Sequence, residues 1–120
     1  MTCYAIRGAI TVDENTKDAV DSAVRELMSA LYEANGITDD DIVSVIFSQT
    51  KDITSRNAAA ACRHGGFCSE VPLFCVQEAD VENSLPLTVR VLVTVGHEAE
   101  KKPRMIYLKG AAILRPEWKK

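Results

Sequence analysis

The chain has 120 residues, 47% hydrophobic and 26% charged, enough for one domain with a core of modest size. A formal net charge of -3 and the lack of a basic stripe interleaved with aromatics argue against nucleic acid as a partner. No apolar run approaches the roughly 18 residues of a membrane span, and Met1–Gly8 lacks the basic and apolar stretches of a secretion signal.

Residues 4–12 alternate as a strand, with Tyr4, Ile6, Gly8, Ile10 and Val12 on one face and Ala5, Arg7, Ala9 and Thr11 on the other. Gly8 leaves room for a second backbone or a ligand. A helix is predicted over 17–34, capped by Thr16 or Asn15 and stopped by Gly36. Val20, Val24, Leu27, Leu31 and Ala34 form its apolar stripe, and Asp21 lies mainly outside it. Thr38 and the acids Asp39, Asp40 and Asp41 suit the start of a short helical turn, which favours negative charge without any bound cation. Residues 42–48 form a second strand. A polar connection over 49–56 leads to a short alanine-rich helix over 57–63, closed by His64, Gly65 and Gly66. Residues 71–78 form a third strand, with Pro72 marking an edge or a strand start.

The clearest alternation runs from Leu85 to Val95. Leu85, Leu87, Val89, Val91, Val93 and Val95 share one face; Thr88, Arg90, Leu92 and Thr94 share the other. After a polar loop over 96–104, a last strand is predicted over 105–114, with Tyr107 near its start. Pro116 ends regular structure and leaves 116–120 as a mobile tail.

The order β-α-β-α-β-β-β gives an α+β fold, a mixed α/β layer. It is a five-stranded mixed sheet with one long and one short helix. One long helix covers one sheet face. The other face is either wet or covered by another subunit, and its small residues with isolated charges fit a closed cyclic oligomer. On a wet face Arg90 is an ordinary solvated arginine. On a covered face it is a cation that needs an anionic partner.

Cys3, Cys62, Cys68 and Cys75 form no Cys-x-x-Cys pair; they read as free thiols in a reducing, cytoplasmic compartment. Neither His64 nor His97 has ligand-like spacing to them, so no metal site is expected. Arg7, Arg63, Glu78, Arg90, Tyr107 and Arg115 are the candidate functional groups. Several guanidinium groups with one acid and one phenol suit a small polyanion. Two others besides Arg90 also have an ordinary reading: Arg63 as a cation at a helix C-terminus, Glu78 as a turn acid. No nucleophile–base pair and no Gly-rich phosphate loop stands out. The chemistry is expected to be electrostatic and positional.

The motifs Arg-Gly-Ala-Ile-Thr-Val at 7–12, Val-Pro-Leu-Phe-Cys-Val-Gln-Glu at 71–78, Val-Arg-Val at 89–91, Tyr-Leu at 107–108 and Leu-Arg-Pro at 114–116 resemble the monofunctional chorismate mutases of the Bacillus type, the AroH class. The resemblance spans nearly the whole chain in order. It implies a pseudo-barrel homotrimer with active sites between subunits. It also implies the cofactor-free Claisen rearrangement of chorismate to prephenate, on the route to phenylalanine and tyrosine.

By that resemblance Arg90 stabilises charge on the ether oxygen, and Arg7 with Tyr107 holds a side-chain carboxylate. Glu78 accepts from the ring hydroxyl, with Cys75 beside it. Leu73, Phe74 and Ala59 line the pocket. Arg63 adds positive potential at the mouth, and Leu114 with Arg115 closes over it. Two positions depart from the pattern: Asn57 and Ala60 stand where relatives carry a bulky apolar residue and a lysine, and Arg56 is the candidate to compensate. A trimeric small-carboxylate-binding or deaminase-like protein with clefts between subunits is the alternative reading.

Overall fold

The alternating valines of β4 (Thr88–Val95) place it at the centre of the sheet in the computed structural model of the chain, which describes residues 2–118. β4 pairs antiparallel with β1 (Tyr4–Thr11) on one side and with β2 (Ile42–Gln49) on the other. The edges are β3 (Leu73–Gln77), parallel to β2, and β5 (Ile106–Leu108), parallel to β1. The strand order is β3-β2-β4-β1-β5, the mixed five-stranded sheet that the sequence predicts. Pro72 precedes an edge strand, where a missing N–H is tolerated.

Helix α1 (Lys17–Asn35) and helix α2 (Ala58–His64) lie on one face. Thr16 caps α1 by accepting from Ala19 N, and Gly36 ends it in the left-handed region. The core joins Val20, Val24, Leu27, Met28 and Leu31 of α1 to Ile6, Ile10, Val45, Phe47 and the four β4 valines. Gly8 admits the β5 backbone, since a Cβ there would stand 3.0 Å from Ile106 O. Tyr32 donates to Asp39 Oδ1 at 2.6 Å and meets Cys68 Sγ at 3.2 Å, tying α1 to the short 3-10 turn Asp39–Asp41. All four cysteines are free; Cys62 and Cys68 are buried and Cys3 is exposed.

Several expectations change. The last strand is Ile106–Leu108 only, and Lys109–Leu114 continues as a 3-10 helix. Lys109 adopts φ 50° and Gly110 N donates to Thr11 Oγ1, which turns the chain off the sheet edge. β4 starts at Thr88, not Leu85. Leu87 adopts φ 48° and its N–H goes to the Asp52 carboxylate, so the ladder cannot extend through it. Asp21 is buried on α1 because the Arg56 guanidinium covers it, Nε to Oδ1 at 2.8 Å. Pro116 does not end regular structure as expected: Pro116–Trp118 forms a further 3-10 turn, which a proline can open because its first N–H is not needed; the rest of the expected tail, Lys119 and Lys120, lies outside the described residues. No helix among the described residues is long and apolar enough to cross a membrane.

Candidate active site

The face of the sheet opposite the helices carries two cross-strand rows. The first runs Phe74–Ile46–Leu92–Arg7; the second runs Val76–Ser48–Arg90–Ala9–Tyr107. Arg90 is therefore flanked by a serine and an alanine, with Tyr107 one strand beyond. Small neighbours leave space over the guanidinium. Arg90 Nε is itself buried and has no hydrogen-bond partner among the described residues. It stands 3.3 Å from Glu78 Oε1, close enough for attraction but not aligned as a hydrogen bond.

Glu78 follows the edge strand β3 and is held by β2 at two points. Its N–H donates to Gln49 O at 2.8 Å, and its Oε1 accepts from Ser48 Oγ at 2.5 Å. Tyr107 is buried with Ala9 and Ala111, and Leu114 packs against that cluster. Arg7 is exposed at the rim of the same face. Arg115 pairs with Glu117 at 2.6 Å, which raises its pKa, with Tyr107 contributing less. Its charge is thus engaged first by Glu117 and, to a lesser degree, by Tyr107 of the sheet.

The other predicted residues sit on the helix side. Cys75, expected beside Glu78, points to the opposite face, where its thiol donates to Gln49 Oε1 at 3.1 Å. Strand alternation requires this, because positions 75 and 78 differ by an odd number. Leu73 and Ala59 pack against the helix-side core. Arg63 leaves its stem on α2 and donates through Nη2 to Val71 O at 3.0 Å. Arg56, the candidate to compensate for Ala60, is ion-paired with Asp21. Asn57 is the N-cap of α2, accepting from Ala59 N and Ala60 N.

Sequence reasoning missed two residues. Ser48 had a readable signal, a polar position on the Arg90 face of an apolar strand. Gln49 had none. Its amide donates to Ile53 O and Arg56 O and accepts from Ala58 N and Cys75 Sγ, which uses every site it has. It locks the start of α2 against β3.

Neither of two grooves in the single chain encloses this set. One of about 280 Å³ lies between residues 50–52 and 78–86 and touches Glu78 alone among the predicted groups. The other, about 520 Å³ around Tyr4, Asp41 and His97, touches none of them.

Residues 3–118 match the family described as chorismate mutase type I. This chain belongs to that family. Among curated proteins it is 42% identical over 114 residues to chorismate mutase AroH of Thermus thermophilus, covering 93% of each chain. It is 31% identical over 118 residues to chorismate mutase AroH of Bacillus subtilis, covering 98% of this chain and 93% of the relative. Its fold matches the solved chorismate mutase from Clostridium thermocellum with a TM-score of 0.86 at 39% identity, covering 92% and 98% of the two chains. As a member of the chorismate mutase type I family the chain is an enzyme, an isomerase with chorismate mutase activity.

Proposed function

We propose that the rearrangement of chorismate to prephenate takes place between two copies of this chain. One copy supplies the sheet face that carries Arg90, Glu78, Arg7 and Tyr107. The other supplies the helix-side edge with Ala59, Arg63, Leu73 and Cys75. The observation that carries this reading is the sheet itself, which separates the two groups within one chain. A neighbour also accounts for the apolar side chains left open on the Arg90 face, including Phe74 at 71% and Ile46 at 43% exposure. A closed homotrimer satisfies every copy alike. The free thiols suit a reducing cytoplasm.

The reaction is unimolecular and needs neither proton transfer nor a covalent intermediate. As the ether C–O bond breaks and the new C–C bond forms, negative charge grows on the ether oxygen. A fixed cation there favours the transition state over the ground state. Arg90 has the position and the unused donor for that role. Arg7 and Tyr107 would hold a carboxylate and keep the substrate in its compact reactive conformer. Glu78 would accept from the ring hydroxyl.

Replacing Arg90 by alanine is the test. Loss of such a donor should lower kcat by at least ~10²–10³, with the thermal midpoint and oligomeric state unchanged. Near-normal kcat, measured as loss of chorismate absorbance, would refute the assignment.

A further inference from the structure

We propose that Ser48 is a positioning residue of this site, whose hydroxyl keeps Glu78 from closing onto Arg90. The inference rests on the reading of Glu78 and Arg90 given above.

Ser48 lies directly between Val76 and Arg90 in its cross-strand row. Its hydroxyl donates to Glu78 Oε1, the same oxygen that stands 3.3 Å from Arg90 Nε. That nitrogen is buried and, for all its closeness to Glu78, makes no hydrogen bond among the described residues. A carboxylate and a guanidinium at this separation gain strongly from an aligned hydrogen bond, yet the alignment is absent. The serine O–H occupies Oε1 from the β2 side, and the Glu78 N–H bond to Gln49 O holds the backbone to β2 as well. Glu78 Oε2 is left as the acceptor for substrate, and Arg90 keeps its charge for the reacting oxygen.

Without the hydroxyl, Oε1 loses its donor, and Arg90 Nε is the adjacent replacement. The carboxylate then turns onto the guanidinium. A closed pair draws down the positive charge that the transition state needs and removes the acceptor for the ring hydroxyl. The loss should therefore fall on kcat more than on KM.

The decisive comparison is Ser48→Thr against Ser48→Val, two variants of nearly the same shape that differ in the hydroxyl. Both suit a strand, so both should fold and assemble with similar thermal midpoints. The valine variant should lose about tenfold or more in kcat, the scale of a hydrogen bond to a charged group, with KM changed by less than about threefold. Threonine should recover most of that loss. In a Glu78→Ala background the valine change should cost nothing further, because no carboxylate remains to be held. Equal kcat for the valine and threonine variants would overturn the proposal, as would an undiminished valine effect in the Glu78→Ala background. A Glu78→Ala single variant with unaltered kcat/KM would instead overturn the reading of Glu78 itself.

Discussion

On the helix side of β4, Val89, Val91, Val93 and Val95 are all at most 3% exposed, packed beneath α1. One residue out of register, on the other side of the same strand, Arg90 and Thr94 are half-buried and Leu92 is 39% exposed. The first face is finished by its own chain. The second offers apolar area beside a buried donor that makes no hydrogen bond among the described residues, a combination that costs free energy unless something covers it and accepts that hydrogen bond. A single strand thus has two unlike sides: one is packed by its own chain, and the other is left open, which is the side that the proposed reading completes with a neighbour and an anion.

That contrast can be broken from either side. The largest effect is expected from Ile46→Asp on the outer face. An unpaired carboxylate buried against a neighbour costs several kcal/mol, so sedimentation should show folded single chains, and turnover should vanish. A variant that stays assembled and active would remove the outer face from the interface. On the inner face, Phe47→Ala should cost about 3–5 kcal/mol of stability, seen as a lower denaturation midpoint, while the folded fraction keeps its kcat.

Farther from both faces, Tyr32→Phe should cost about 1–2 kcal/mol through the lost bonds to Asp39 and Cys68. It should also change the alkaline limb. Burial, and then the hydrogen bond to Asp39, raise the Tyr32 pKa above 10.0. The folded state therefore holds that proton more tightly than the unfolded one. This contribution is full below pH 10.0 and is lost as pH climbs toward the folded-state pKa. Urea midpoints above pH 10.0 should fall less steeply in the phenylalanine variant.

The smallest effect belongs to His97, exposed and 3.2 Å from Asp41. Its pKa is raised, first by the bond to Glu98 O and further by Asp41. An NMR titration should place its midpoint above 6.5. Asp41→Asn should lower that midpoint without touching kcat.

Much of this was legible beforehand because it depends on short-range pattern. Alternation put Arg90 on the face opposite the valines, Gly36 stopped the helix, and Pro72 marked an edge strand. The same alternation also contains the separation of Cys75 from Glu78, although the resemblance grouped them by shared role in a pocket. Features set by distant partners were not legible. Asp21 reads as a surface acid until Arg56, 35 residues on, folds over it. Gln49 reads as a loop residue until Ile53, Arg56, Ala58 and Cys75 converge on its amide. The stretch 105–114 is apolar enough for a strand, and only the left-handed turn at Lys109 diverts it.

The claim that two copies share each site is tested most directly by mixing two damaged chains. Arg90→Ala lacks the cation of the outer face; Arg63→Ala lacks the cation on the helix-side edge. Each should be weakly active alone at chorismate well below KM. After the two are unfolded and refolded together in equal amounts, random assembly should give intact Arg90–Arg63 combinations at about a quarter of the sites. Activity should then rise well above the mean of the parents. A mixture that only averages them would show that Arg90 and Arg63 act within one chain and would contradict the shared site.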